Sequence, residues 1–294
     1  MKTGTPADKP TAIKRVDIPY GGGKPVPLCY AEWEPIDVYK GTVVAVHGLT
    51  RQKRDFDYIA TALANNGYKV LAVDAPGRGG SGKMYDPNAY NLDVYADIFN
   101  LFLKQLSLQR VHWIGTSMGG LIALKMAEKG LGSKLRSLTL VDITHKPNHA
   151  GCIRLTGYIT ENLPTFQSIE QYTEILKKNL PIGPVPDYVW RHYAQHQLKK
   201  SGDVYAFHFD PKIARMAVPG LKAGVDLTAG LQKIECPVAL VAGGKSDLCT
   251  AAEIADLKAL KPDLKLFTDE EAGHVPALAD SAAQQFVFNF ISNS

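Results

Sequence analysis

Residues 110–124 read Arg-Val-His-Trp-Ile-Gly-Thr-Ser-Met-Gly-Gly-Leu-Ile-Ala-Leu, an apolar strand-like run that leads through Gly115-x-Ser117-x-Gly119 into a helix-forming segment. This pattern is typical of a nucleophile elbow, a sharp strand-to-helix turn that exposes a serine hydroxyl. Glycines two residues before and after Ser117 let the neighbouring backbone pass without a Cβ clash. The backbone N–H of Met118, at the positive end of the helix, is expected to face a forming oxyanion. The sequence therefore predicts Ser117 as a nucleophile and Met118 as an oxyanion-hole donor.

The composition is that of a globular protein with a large core. The chain has 294 residues, of which 45% are hydrophobic, and a formal net charge of +4 that is too small to indicate a nucleic-acid partner. It has no apolar run near 18 residues and no apolar segment at its start, so we expect no membrane contact and a cytoplasmic location. We expect a small-molecule substrate, no cofactor and no metal; a homodimer is compatible with the sequence.

The four cysteines show no pattern of a zinc site or of a disulfide framework, because no two of them form a C-x-x-C motif. They are Cys29, Cys152, Cys236 and Cys249. We expect them to be reduced thiols.

Strand-like runs alternate with helix-like segments along most of the chain. The predicted strands cover residues 43–46, 70–73, 111–114, 138–141, 238–241 and 264–267. Such alternation predicts a doubly wound, mostly parallel sheet of the α/β class. The rhythm stops between Ile143 and Pro237, where no clear strand is found. We therefore predict a core formed by residues 1–143 and 234–294, interrupted by a helical cap insertion at residues 144–233.

A serine nucleophile needs a base, and histidine is the side chain best suited to that task. Of the eight histidines, His274 lies in Gly273-His274-Val275-Pro276 between the last predicted strand and the last helix, which suits the chain order Ser, acid, His of the elbow fold. Asp247, after strand 238–241, is the predicted acid. Asp142, at the end of strand 138–141, is the alternative.

The second oxyanion donor is expected in the loop after strand 43–46. His47-Gly48-Leu49 occupies that place, so the backbone N–H of Leu49 is the candidate, while His47 is predicted to be a packed loop residue. Arg51 and Arg54 follow. They are either solvated charges at a helix entry or a clamp for an acidic substrate.

Residues 77–83 satisfy the dinucleotide pattern G-x-G-x-x-G and most of the phosphate-loop pattern. Both motifs require the glycines to open a helix, yet Tyr85-Asp86-Pro87-Asn88 follows and predicts a turn. Nucleotide binding is therefore not predicted.

Taken together, these motifs resemble the α/β-hydrolase superfamily over nearly the whole chain. They are His47-Gly48, Asp74 with Gly77-Arg-Gly79 and Ser81, the Ser117 elbow, Ser246-Asp247 and Gly273-His274, all in the family's order. The resemblance implies an eight-stranded, mostly parallel sheet with a helical cap over the site. It implies a serine hydrolase acting on an ester, thioester or lactone.

Two other functions remain open under this resemblance. Carbon–carbon bond hydrolases of the meta-cleavage type share the Ser-Met-Gly-Gly elbow, and a ligand receptor can use the same fold. A serine at the elbow argues against haloalkane dehalogenases and epoxide hydrolases, which carry an aspartate there. Aromatic and histidine residues of the cap line the substrate pocket or form the cap's own core; they are Tyr158, Phe166, Trp190, His192, Tyr193, His196, Phe207, His208 and Phe209.

Overall fold

The fold is given by a computed structural model, which describes residues 9–21, 23–180 and 182–294. In that part of the chain the strands are β1 (Ala12–Ile18), β2 (Val26–Trp33), β3 (Gly41–Val46), β4 (Tyr68–Val73), β5 (Val111–Thr116), β6 (Leu135–Val141), β7 (Thr165–Phe166), β8 (Leu198–Ser201), β9 (Val204–Phe207), β10 (Val238–Gly243) and β11 (Lys265–Asp269).

Eight of these strands form one sheet in the order β1-β2-β4-β3-β5-β6-β10-β11. β2 pairs antiparallel with β1 and β4, and the other neighbours pair in parallel. The predicted eight-stranded, mostly parallel sheet is thus confirmed. In the middle of the sheet, β3 and β5 bring the loop after residue 46 next to the loop after residue 116.

The helices of the described residues are α1 (Asp57–Ala64), α2 (Leu92–Gln105), α3 (Met118–Met126), α4 (His149–Thr156), α5 (Ile169–Asn179), α6 (Asp187–Gln197), α7 (Ala214–Ala223), α8 (Thr228–Gln232), α9 (Ala251–Leu260) and α10 (Ser281–Ser292). None of them is long and apolar enough to cross a membrane.

The sheet is buried on both faces, as the nearly continuous apolar strands require. In β3, Val44 and Val46 belong to the core layer that also contains residues of α2 and α3, whereas Val43 and Ala45 belong to the layer with α1 and α10. This alternation follows from the two-residue period of a strand. The helices therefore pack on both sides and leave the strand ends to form the site.

Residues 144–233, called the insert below, lie between β6 and β10. They contain α4 to α8, and also a small antiparallel sheet in the order β7-β9-β8, so the prediction of no strand in this region was wrong. The hairpin turns at Gly202, whose φ of +60° suits a glycine. The insert packs on the loop after β4, where the Gly79 N–H donates to the His208 carbonyl at 2.8 Å and the Asp210 N–H to the Gly77 carbonyl at 2.7 Å.

Candidate active site

Ser117 lies at the turn between β5 and α3 with φ 48° and ψ −113°. A Cβ atom on Gly115 would lie 2.4 Å from the Gly120 nitrogen, and one on Gly119 would lie 1.9 Å from the Val46 carbonyl oxygen. Larger side chains at these two positions are therefore excluded by backbone contacts. The turn has the elbow geometry that the Gly-x-Ser-x-Gly spacing predicts.

Backbone strain in the described chain concentrates around this turn. The non-glycine residues with positive φ are Ser107, Ser117, Asp142 and Val275. Ser117, Asp142 and the neighbour of His274 account for three of these four, and for a β-branched valine such a φ is a true outlier. Strain of this kind persists where many contacts from the surrounding structure hold the backbone in place. It is common at functional sites.

His274 is paired with Asp142. Its Nδ1 atom lies 2.7 Å from Oδ2 of Asp142, whose side chain is fully buried while that of His274 is 13% exposed. The same carboxylate accepts hydrogen bonds from the Gly243 N–H at 2.8 Å and from the Ser246 hydroxyl at 2.6 Å. Three donors thus hold the Asp142 carboxylate in place. Because Nδ1 is engaged, Nε2 is the nitrogen of His274 that remains for proton transfer.

The prediction that Asp247 orients His274 was therefore wrong in this structure. Asp247 binds the Arg154 guanidinium of α4 in a two-point contact, with Nη2 to Oδ1 at 2.7 Å and Nε to Oδ2, and its side chain is 42% exposed. That contact lowers the pKa of Asp247 below its ordinary value, and the charge of His274 lowers it further. Asp247 thus lies within electrostatic range of His274 without hydrogen bonding to it.

The loop after β3 approaches Ser117 closely. A Cβ atom on Gly48 would lie 3.7 Å from the Ser117 Cβ, so the next residue, Leu49, is beside the elbow. Among the described residues, the backbone N–H groups of Leu49 and Met118 donate to no backbone or side-chain acceptor. Both residues line one cavity together with Ser117. Their position is compatible with the predicted role of the two N–H groups as oxyanion donors.

His47 is fully buried and holds the loop together, which confirms the prediction of a packed loop residue. Its Nδ1 lies 2.7 Å from the Gly48 carbonyl oxygen, and its Nε2 accepts the Ala75 N–H at 3.0 Å. Burial lowers the pKa of His47 to about 4. The imidazole is therefore neutral at pH 7, with the proton on Nδ1.

Arg51 and Arg54 are both neutralised by carboxylates of their own segment. Arg51 donates to Asp55 at 2.6 and 2.8 Å, and Arg54 contacts Asp57 through Nε at 2.8 and 2.9 Å. Arg51 also donates to Gln197 of the insert. The solvated-charge interpretation is wrong for the buried Arg51, and its contacts tie the core to the insert.

A cavity of about 370 Å³ opens from Ser117 along α3 and beneath α7. Its walls are mostly apolar and include Leu49, Met118, Leu121, Leu155, Met216, Ala217 and Leu221. None of the aromatic and histidine residues predicted as pocket candidates lines it. Phe166, Trp190, Tyr193 and Phe207 instead pack in a cluster formed mostly by the insert, together with Tyr58 of α1 and Ala277. The α7 wall was missed because nothing in its sequence distinguishes pocket-facing from core-facing apolar residues.

Two other motifs do not form sites for a nucleotide or a metal. After Gly77–Lys83 comes a single helical turn, Pro87–Ala89, so no α-helix opens at the glycines. Asp57, His192 and His196 bring potential ligand atoms within 4.8 Å of one another. Asp57 is already bound by Arg54, and Nε2 of His192 lies 2.9 Å from the Arg54 carbonyl oxygen. We assign no ion to this cluster.

Comparison with known proteins assigns the chain to one family. A family model described as alpha/beta hydrolase fold matches residues 41–168. A 3-hydroxybutyrate-oligomer hydrolase from Cupriavidus necator is 32% identical over 87% of this chain and 89% of that protein. The chain belongs to the α/β-hydrolase family.

Other known proteins also resemble the chain over most of its length. A pimeloyl-[acyl-carrier protein] methyl ester esterase from Aeromonas salmonicida is 27% identical over 83% of this chain and 92% of that protein. The crystal structure of an alpha/beta hydrolase from Novosphingobium aromaticivorans superposes with a TM-score of 0.84, at 24% identity, covering 96% of this chain and 98% of that one. This structural likeness shows the fold alone.

Proposed function

We propose that this α/β hydrolase cleaves carboxylic esters through an acyl-enzyme on Ser117, with His274 as the base and Asp142 as the acid that orients it. The observation that carries the proposal is the bond between His274 Nδ1 and the fully buried Asp142 carboxylate. All three residues lie outside the insert, at the carboxyl ends of β5, β6 and β11. A serine, a histidine and an acid at one edge of a sheet are the residue types that acyl transfer uses, which supports the proposal.

In the proposed reaction the Ser117 oxygen attacks the ester carbonyl while Nε2 of His274 takes the serine proton. Asp142 accepts a hydrogen bond from Nδ1–H and stabilises the imidazolium that forms. The imidazolium then gives its proton to the leaving alcohol oxygen as the C–O bond breaks. A water molecule then attacks the acyl-enzyme in the same way and releases the carboxylic acid product from Ser117.

The backbone N–H groups of Leu49 and Met118 are proposed to bind the oxyanion of the tetrahedral intermediate. Donors fixed in advance in a site with little water are worth more than donors in solution. The N–H of Met118 also benefits from its place at the first turn of α3, where helix N–H groups have no intrahelical acceptor.

We propose that the cavity beneath α7 holds the acyl part of the substrate. It is lined by Ser117 and both oxyanion residues but not by His274, which must face the leaving group. Its mostly apolar walls suit an aliphatic chain. The similarity to a 3-hydroxybutyrate-oligomer hydrolase makes short linear oligoesters of hydroxy acids the substrates to examine first.

A fluorophosphonate followed by peptide mass spectrometry tests the proposal. We expect a single adduct on Ser117, lost in Ser117→Ala, together with hydrolysis of 3-hydroxybutyrate dimers and trimers. Ser107→Ala is the matched control, because Ser107 also has a positive φ but lies at the opposite end of β5. It should be labelled like the wild type.

The outcomes separate the proposal from its alternatives. An unlabelled protein that hydrolyses no ester, thioester or lactone would refute it. A labelled protein with a single turnover and a large thermal shift on ligand binding would instead indicate a receptor, and cleavage of a carbon–carbon bond would indicate the meta-cleavage type.

A further inference from the structure

Arg78 is a fully buried arginine in the loop after β4, and it contacts both residues of the proposed oxyanion hole. Its Nε–H donates to the Leu49 carbonyl oxygen at 2.9 Å, and Nη2 lies 3.6 Å from the Met118 sulfur. Nη1 donates to the Pro76 carbonyl oxygen at 2.7 Å and to the Tyr95 hydroxyl at 2.5 Å. The guanidinium thus connects the loop after β3 with the first residue of α3.

Every hydrogen-bond acceptor of Arg78 among the described residues is uncharged. The rings of Tyr90 and Tyr95 lie 5.7 and 5.3 Å from its Cζ atom, and burial raises the pKa of both phenols, which stay neutral. The Asp210 carboxylate nearby accepts the Tyr90 hydroxyl at 2.7 Å and does not pair with Arg78. Buried charges are ordinarily paired with an opposite charge, so this one calls for an explanation.

We propose that Arg78 is a positioning residue of the oxyanion hole, whose unpaired buried charge also favours the anionic transition state of ester cleavage on Ser117. The inference rests on the proposed function. Holding the Leu49 carbonyl fixes the backbone on one side of the Leu49 N–H. The Met118 contact joins the second donor residue to the same guanidinium.

The charge of Arg78 acts selectively on the transition state. An ester carbonyl is neutral when the substrate binds and becomes an oxyanion only as the serine attacks. A positive charge in a region of low dielectric therefore stabilises the transition state more than the bound substrate. An interaction of this kind raises kcat and leaves KM almost unchanged.

The experiment compares Arg78→Gln with Arg54→Gln, the same substitution at an arginine whose charge Asp57 neutralises. For Arg78→Gln we expect kcat to fall by about 10- to 100-fold with KM within about twofold, since loss of one oxyanion donor costs about 100-fold or more. Arg54→Gln should keep the wild-type kcat. Arg78→Lys, which retains the charge but not the fork of donors, should recover part of the loss.

Affinity for an alkyl boronic acid provides a readout that a merely structural role would not change. The boronate becomes a tetrahedral anion on Ser117, so its Ki should rise by the same factor as kcat falls, while inhibition by a neutral ketone analogue changes little. If Arg78→Gln does not fold, Tyr95→Phe removes one acceptor and keeps the charge. It should lower kcat several-fold at constant KM.

A folded Arg78→Gln protein with wild-type kcat and boronate affinity would overturn the inference, as would a loss confined to KM. If Arg78→Gln does not fold, an unchanged kcat in Tyr95→Phe would also overturn the inference. A wild-type protein that is neither labelled at Ser117 nor active on esters would instead refute the proposed function, and this inference with it.

Discussion

Nδ1 of His274 lies 2.7 Å from Oδ2 of Asp142, which follows the strand next to the one that carries Ser117. The proposed nucleophile and the proposed acid therefore follow neighbouring strands, β5 and β6, which are paired through Thr116 and Val141. The spacing of neighbouring parallel strands therefore sets how far apart Ser117 and Asp142 lie.

Asp142→Asn should lower kcat on the order of 10⁴-fold, the loss seen when the acid of a serine triad becomes an amide and the histidine adopts the wrong tautomer. Asp247→Asn is the matched control and should keep kcat within about tenfold, because Asp247 binds Arg154 instead of His274. Steady-state kinetics and the rate of phosphonate labelling measure both. A larger loss of kcat in Asp247→Asn than in Asp142→Asn would indicate that Asp247 is the acid.

Ala217→Trp should shorten the acyl chain that the protein accepts, because Ala217 lines the cavity beside Ser117. We expect kcat/KM for acetyl esters to stay near wild type and that for octanoyl esters to fall at least tenfold. Ala223→Trp, on the exposed side of the same helix, serves as the control. Equal losses on both chain lengths would place the acyl group elsewhere.

Arg51→Gln should destabilise the protein by about 3 kcal/mol, since it leaves the mostly buried Asp55 without its partner. Urea unfolding measures this loss. If Arg51 serves only the junction between core and insert, KM should change by the same factor for neutral esters and for esters that carry a carboxylate. A selective rise for the acidic substrates would support the clamp interpretation.

Stability should fall as the pH drops from 6.5 towards 4. Burial lowers the pKa of both His47 and His112 to about 4, so between these pH values the unfolded chain binds protons at these sites that the folded chain does not. The free energy of unfolding then decreases by about 1.4 kcal/mol per pH unit for each such histidine.

His112→Gln removes one of these two titrating histidines, so it tests that residue's share of the pH dependence. His112 lies far from Ser117 along β5 and contacts the Ser137 hydroxyl at 2.8 Å. Urea unfolding at pH 6.0, 5.5 and 5.0 should show a slope smaller by about one proton than in the wild type. Identical slopes would mean that His112 titrates equally in both states.

The sequence predicted the parallel part of the sheet well, because strands buried on both faces are continuous apolar runs. No sequence pattern predicted β1 and β2 as strands. β1 carries Lys14, Arg15 and Asp17 on an exposed edge, and β2 is interrupted by Pro27 and Glu32. Neither gives the uninterrupted apolar signal that marked the central strands.

The choice between Asp142 and Asp247 could not be made from the sequence. Both residues follow a strand and reach the same edge of the sheet. The decision came from partners distant in the chain: Arg154 of α4 binds Asp247, whereas Ser246 and Gly243 turn their donors to Asp142. Local sequence spacing does not encode such contacts between residues distant in the chain.

The two carboxylates near His274 bear on how such a triad can change during evolution. Asp142 hydrogen bonds the imidazole, whereas the pKa of Asp247, which follows the adjacent strand, is lowered by Arg154 and to a smaller extent by the charge of the imidazole. Asp247 is bound by Arg154, so it could serve His274 only after that arginine is released. A change of acid along the lineage of this chain would therefore require coupled substitutions, at Asp142 and at Arg154.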